Sequence, residues 1–440
     1  MLEVNRQALD NKSDWFGWLL FIVVFAYFWI GTGPFPSPND TLILSTYGDS
    51  SNQINQLIVI AMTMTVLAAL FMNPAGRLIL RAYWLPAAIL VWLLLIIPLS
   101  DSPDSALRRT VYAALVCICS SAILLLPRDR NQFTTLIGYC LLFALGLSML
   151  GVLLRPDLAI HQSTDASEQA LAGDWRGHFG HKNTAAAAAA FAFFFALYLR
   201  KNKKLWVGNG LLLLSGIFIL NAGGKTSLAI VPAVLLIAWL FERLGGLRLP
   251  FVLFSVSAFN IVVVSSATSQ PVRDFIGALG IDPTFTDRAS IWQLALSAIA
   301  ERPFWGYGFQ SFWQTDALAN GNSSAATWAV TAANAHNGYL DLMLSGGFPL
   351  LILAVIWLVI LPSQHASKAL RLNNDLTLTR LFIRIWLFAL FLATLESPFF
   401  ANSGPIWFTI LIAIFGLQLQ AQARLVSEPT PQDITALQVR

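Results

Sequence analysis

Asn183-Thr-Ala-Ala-Ala-Ala-Ala-Ala-Phe-Ala-Phe-Phe-Phe-Ala-Leu-Tyr-Leu199, closed by Arg200-Lys-Asn-Lys-Lys204, decides the fold of this chain. Seventeen uncharged residues run straight into four cations within five positions. A membrane span needs roughly 20 mostly apolar residues. Lys and Arg collect on the cytoplasmic side, so the cationic block also marks where this span ends. The alanine run, Ala185 to Ala190, lets a neighbouring helix approach closely. Asn183 and Thr184 are natural N-cap residues for it.

The same pattern recurs in both directions. About twelve candidate spans centre on 15–31, 55–73, 83–99, 108–126, 133–154, 183–199, 205–221, 225–241, 249–266, 338–361, 381–396 and 404–420. Of 440 residues, 56% are hydrophobic and 11% charged, with a mean hydropathy of +0.65. Soluble domains carry about 25% charged residues. The expectation is an all-α polytopic membrane protein that takes membrane lipids, and no nucleic acid, as surroundings. The first apolar run reads as an anchoring span and not as a cleaved signal. Cys117, Cys119 and Cys140 sit in apolar stretches and read as small core residues.

With both termini inside, eighteen of the 27 Lys and Arg residues fall on inside segments and nine outside. Transmembrane helices 1–9 then occupy 1–266, with an outer loop at 155–182. A large outer loop covers 267–337, helices 10–12 cover 338–423, and 424–440 is a cytoplasmic tail. Cations left outside run against the usual bias, which suggests charge kept for an anionic ligand.

Trp175-Arg-Gly-His-Phe-Gly-His-Lys-Asn183 gathers Arg176, His178, His181, Lys182 and Asn183 where a helix begins. A helix N-terminus attracts anions, so this cluster suits a diphosphate. Interfacial anchoring is the plainer reading. Asp174 is the single carboxylate close by and no cysteine is near, so neither a metal nor another cofactor is expected. Asn221-Ala-Gly-Gly-Lys-Thr-Ser227 approaches a phosphate loop but fails it. The pattern G-x-x-x-x-G-K followed by Ser or Thr needs glycine at 219, where Ile219 stands. What remains is a turn with Lys225 at a helix start, either a site cation or a snorkelling anchor.

The long outer loop carries Arg288 to Glu301, whose apolar residues recur at three- and four-residue intervals as in an amphipathic helix. Thr286 or Asp287 would cap it. Arg288 in its first turn suits bidentate contact with phosphate. His336 closes the loop between Asn334 and Asn337-Gly-Tyr339, and histidine is the usual general base near neutral pH. Asn337 and Tyr339 are candidate substrate contacts. Trp305 to Trp313 packs the loop or offers faces to sugars. Glu396, at the outer end of the eleventh span, balances the cations, binds a sugar hydroxyl or ends the helix.

Together these residues resemble the O-antigen ligase and Wzy-type polymerase superfamily. The matching pieces are Trp175 to Asn183, Lys225-Thr-Ser227, Arg288 with Ile291-Trp292, Pro303 to Phe309, and His336-Asn-Gly-Tyr-Leu340. Gly-His-Lys-Asn183 and Glu396-Ser make the chain look closest to exopolysaccharide polymerases. Where many relatives carry Ser-Arg, this chain has Gly224-Lys225, and Lys is not a bidentate donor. The resemblance implies a GT-C-like, metal-independent, inverting glycosyltransferase of the bacterial inner membrane with a periplasmic active site. The implied donor is a glycan on undecaprenyl diphosphate. The implied acceptor is a second lipid-linked repeat unit, in a polymerase, or lipid A core, in an O-antigen ligase. It further implies that Arg288 holds the diphosphate, that His336 activates the acceptor hydroxyl, and that chain-length regulator and export proteins are partners. A twelve-span secondary transporter is the reading from another class. It fits less well, because no repeat relates 1–220 to 221–440 and the polar residues cluster in outer loops, not mid-span.

Overall fold

The computed structural model describes residues 14–37, 53–72, 81–165, 169–285, 288–315, 318, 329–401 and 404–422. The expected caps Thr286 and Asp287, the tail 424–440, and the inside cations Arg6, Lys12 and Arg77 lie outside the described residues. The fold is all-helical, with one isolated antiparallel bridge between Ile160 and Trp175.

Each of the twelve expected spans is a helix. They are α1 (Asp14–Trp29), α2 (Gln53–Met72), α3 (Trp84–Ile96), α4 (Pro103–Ala122), α5 (Arg130–Leu154), α6 (Lys182–Lys201), α7 (Leu205–Asn221), α8 (Lys225–Arg243) and α9 (Arg248–Ser265). Then follow α10 (Gln270–Ala278) and α11 (Arg288–Glu301) in the large loop. The last three are α12 (Gly338–Leu372), α13 (Leu376–Leu392) and α14 (Pro405–Gln422). Among the described residues, seven are long and apolar enough to cross a membrane, and three more are shorter apolar helices. α11 begins at Arg288 and ends at Glu301, as its periodicity predicts. α10 is strongly amphipathic and was not expected.

The structure corrects three local expectations. α6 starts at Lys182, and its N-cap is His181, whose Nδ1 accepts the Asn183 amide at 3.1 Å. Asn183 and Thr184 are therefore inside the first turn. The eleventh span stops at Leu392, which leaves Glu396 in the connection beyond it. The tenth span is broken. Gly346 and Gly347 have non-helical backbones, and Gly347 takes φ +68°. The Phe348 amide donates to the Pro303 carbonyl (2.9 Å) and the Tyr307 amide to the Leu344 carbonyl (2.7 Å). So the turn after α11 plugs the break and takes over hydrogen bonds that an unbroken helix would make itself. A Cβ on Gly306 would lie 2.5 Å from the Leu344 carbonyl oxygen, which is why the plug needs glycine.

Two cores result. The main one is the bundle, with α6, α13 and α14 at its centre and Trp386 and Trp407 fully buried. Lipid tails are as apolar as leucine, so close packing must hold such a bundle together. The alanine face of α6 provides it: Ala185 to Ala190 are all inaccessible. The second core belongs to the large loop. It joins Trp292, Ala295 and Ile299 of α11 to Tyr307, Phe312, Ala335, Leu340 and Leu344. Trp305 stacks on Trp92 with ring centroids 5.4 Å apart, and Phe309 packs against Phe400. The aromatic segment thus packs the loop onto the bundle.

Candidate active site

Antiparallel helices bring a defined set of ends together. The starts of α6, α8, α11 and α12 and the far end of α13 meet at one end of the bundle. The basic block Arg200–Lys204, the α8–α9 turn and the α12–α13 turn lie at the other.

At the first end, Glu396 is the meeting point. Arg288 Nη2 donates to its Oε1 at 2.8 Å, and Arg288 Nη1 donates to the Leu395 carbonyl. His336 Nδ1 lies 3.3 Å from Oε2. Asn183 Nδ2, from the first turn of α6, donates to Oε1 at 3.1 Å. Burial pushes the Glu396 carboxyl up. Its hydrogen bond with His336 and the charges of Arg288 and His336 outweigh that and hold it below the ordinary carboxylate range. An ionised carboxylate only accepts, so His336 Nδ1 carries a proton, and in the neutral imidazole Nε2 is then the nitrogen with the lone pair. That is the tautomer a general base requires.

The backbone presents His336 deliberately. Its φ is +47°, a region non-glycine residues seldom enter, and such strain clusters at functional sites. Three contacts hold it there. The His336 amide donates to Asn334 Oδ1 (2.9 Å), Trp292 Nε1 donates to the Ala335 carbonyl (2.9 Å), and the Ala335 amide donates to Asp341 (3.1 Å). Asp341 also accepts from Trp313 Nε1 (2.8 Å) and from the Ser397 hydroxyl. It therefore ties the residue before His336 to the residue after Glu396. Sequence reasoning missed Asp341, although its place five residues after His336 in the first turns of α12 was visible.

Lys182 is next to this cluster and pairs with Asp174 at 2.6 Å. A Cβ on Gly223 would lie 2.2 Å from the Asp174 carboxylate, so the pair touches the turn into α8. A Cβ on Gly224 would lie 2.4 Å from that of Ala186. The glycine at 224 is thus explained by close approach of α8 to the alanine face of α6. Lys225 follows it, exposed at the helix start, with no ion pair among the described residues.

Other expected site residues are engaged elsewhere. His178 is buried, its Nε2 donates to the Trp29 carbonyl (2.7 Å), and its Nδ1 accepts from Ser148 (2.6 Å). Burial pushes this imidazole down to about 4, against the opposing effect of the Trp29 bond. Arg176 is buried, donates to the Leu158 carbonyl (2.8 Å), and lies 3.5 Å from Asp165. Both pin the 155–181 loop. His181 caps α6 and packs edge-on against His161. Asn337 is buried, caps α12 through Tyr339 and Leu340, and donates to Asn260 (2.7 Å) and the Thr394 carbonyl (3.0 Å). Tyr339 is buried with its hydroxyl on the Leu390 carbonyl (3.1 Å). The structure thus brings Arg288, His336, Glu396 and Asn183 into one cluster, sets Lys182 and Lys225 beside it, and gives Arg176, His178, His181, Asn337 and Tyr339 scaffold contacts. Among the described residues, no group of three or more His, Cys, Asp or Glu is arranged to hold a metal.

Residues 210–355 match the family model described as O-antigen ligase, Wzy_C. The match contains Lys225, Arg288 and His336, and so the α8 turn, the large loop and the broken helix. The exopolysaccharide production protein ExoQ of Rhizobium meliloti (strain 1021) is 29% identical to this chain over 147 residues, 31% of this chain and 34% of that relative. The similarity spans about a third of the relative's length. Both findings support the superfamily resemblance read from the sequence, and with it a membrane protein of the polysaccharide polymerase or ligase kind. Asn183 and Glu396 lie outside the 210–355 segment and join the cluster through its geometry alone.

Proposed function

We propose that this protein is a metal-independent, inverting glycosyltransferase that polymerises undecaprenyl-diphosphate-linked repeat units on the periplasmic face of the bacterial inner membrane. The observation that carries the reading is the shared Glu396 carboxylate, which orients His336 and anchors Arg288. His336 Nε2 takes the proton of the acceptor hydroxyl as that oxygen attacks the anomeric carbon. The bond to the diphosphate oxygen breaks on the opposite face, and the diphosphate leaves with the electron pair. A positioned base contributes about 10²–10⁴-fold.

Arg288 uses two of its five N–H groups on Leu395 and Glu396, and the others remain to meet charge growing on the leaving oxygen. Lys225, which has no carboxylate of its own among the described residues, supplies further charge to the donor diphosphate. The likeness to an exopolysaccharide production protein favours a lipid-linked acceptor over lipid A core. On this reading chain-length regulator and export proteins are its partners.

The test is incubation of purified protein with lipid-linked repeat units alone. Longer glycans on the carrier support the polymerase. Transfer that begins only when lipid A core is added makes the protein an O-antigen ligase. Solute transport in liposomes without glycan turnover would overturn both. His336→Ala is expected to lower transfer at least about 100-fold with unchanged protein in the membrane, and wild-type turnover in that variant would remove His336 from the mechanism.

A further inference from the structure

The end of the bundle opposite Glu396 holds a second polar cavity. α8 ends at Arg243, turns through Gly245–Leu247 and enters α9 at Arg248, while the last turns of α12 reach the same level. Between them lies a cavity of about 420 Å³, lined by Gly246, Arg248, Ser363, Gln364, Ser367 and Arg371 among others.

Three features of this cavity lack a partner. Arg248 is 9% exposed and is held by two neutral carbonyls, Nε on Phe241 (2.9 Å) and Nη2 on Glu242 (2.8 Å). The Glu242 carboxylate is already used by Arg380, at 2.9 and 2.8 Å. Neither Arg248 nor Arg371 forms an ion pair among the described residues, so two like charges face one space. The second feature is Ser363, 1% exposed, whose hydroxyl has no hydrogen-bond partner. A buried hydroxyl without a partner costs free energy. It follows directly on the π turn Ile356–Ile360, where the carbonyl ladder is out of α register. The third is the start of α9, which has no side-chain cap and is entered through Gly245 at φ +53°. Unmet N–H groups at a helix start favour an anion.

A small anion in this space would meet the charge of both arginines and the open start of α9, with Ser363 in the cavity wall. We propose that this cavity binds a phosphate group, presented by an anionic phospholipid headgroup or as free phosphate. Arg248 is fixed in advance by its carbonyl contacts, Arg371 closes from α12, and Ser363 donates from below. On the proposed orientation the cavity faces the cytoplasmic leaflet, where basic pockets between helices meet anionic headgroups. The site is independent of the glycan chemistry at the other end.

The experiment uses the full chain, purified in detergent and examined by native mass spectrometry after exposure to phosphatidylglycerol or phosphatidylcholine. Wild type is expected to retain phosphatidylglycerol selectively, and Arg371→Gln to retain it about tenfold less, the loss of one charge-assisted contact. Ser363→Ala is expected to lie between. Arg371 is exposed and has no hydrogen-bond or ion-pair partner among the described residues, so its variant is expected to fold, whereas Arg248→Gln would also uncap α8. A second arm adds inorganic phosphate to lipid-stripped protein. Stabilisation of wild type but not Arg371→Gln shows that free phosphate suffices; lipid retention without it assigns the site to headgroups. Equal retention of both lipids with no response to phosphate, or undiminished retention by Arg371→Gln, would overturn the proposal.

Discussion

Replacing Glu396 by Gln keeps the shape of the side chain and removes the charge shared by Arg288, His336 and Asn183. Turnover is expected to fall about 10–100-fold, because His336 loses the acceptor that fixes its tautomer. Stability should change with pH in a stated direction. The Glu396 carboxyl sits below its ordinary value of 4.5, so its contribution is complete above that value and disappears as pH falls through the folded-state value. The thermal stability of wild type in detergent should therefore fall below about pH 4.5. Glu396→Gln should start lower and vary less over that window, and parallel curves would contradict the pairing. Asp341→Ala should lower kcat with little change in KM, because Asp341 touches Ala335 and Ser397 and not the open side of the site. An equal rise in KM would count against that positioning role. Arg288, His336 and Lys225 were legible because each stands beside a recognisable pattern in one segment. Asp341 was not, and the weight of Glu396 was not, because the contacts that link them to the site, Ser397 for Asp341 and His336, Arg288 and Asn183 for Glu396, lie 56 to 213 residues away in the chain. His178, Asn337 and Tyr339 had site-like neighbours, and only packing distinguishes a capping amide or a buried imidazole from a ligand contact.

α11 and α12 differ in how far their sequences disclose them. The period of Arg288 to Glu301 predicts α11 over its described length, since the helix buries one stripe against its own loop. α12 reads as one uninterrupted span because Gly346, Gly347 and Pro349 sit in an apolar run. The break depends on carbonyl and amide partners offered by Pro303 and Tyr307, some forty residues earlier. A Cβ on Gly347 would lie 2.1 Å from the Phe304 carbonyl oxygen, and its φ of +68° is unfavourable for any other residue. Gly347→Ala is therefore expected to destabilise the protein by at least about 2 kcal/mol. Gly277→Ala, where a Cβ meets open space inside α10, should be close to neutral. Folded yield by size-exclusion chromatography checks both, and equal yields would show that the plug is dispensable.

For the whole molecule, the count of Lys and Arg predicts which end faces the cytoplasm, and the helices carry that assignment to every loop. Cysteines placed at Lys203 and Lys225 should label from opposite sides of intact inner membranes; labelling from one side would invert or break the topology. The native Cys117 and Cys119 are buried, and Cys140, which is partly exposed, is replaced by Ser for this assay. The helices at the twelve expected positions were legible because apolar length is a local quantity. The two-core arrangement was not, since it needs the loop to find its own partners. Arg288 and His336 stand beside the loop core, on α11 and just before α12, whereas Asn183 and Glu396 stand on the bundle side. Glu396 is thus a clasp across the seam between them, and any anion that competes for Arg288 loosens one fastening as it makes another. Amide exchange in residues 288–301 should then respond to added pyrophosphate in wild type and far less in Glu396→Gln, which begins unclasped. On the proposed reaction, occupancy of the Arg288 site and the grip of the loop core on the bundle become one variable, so that each departing diphosphate would reset this clasp mechanically as well as chemically.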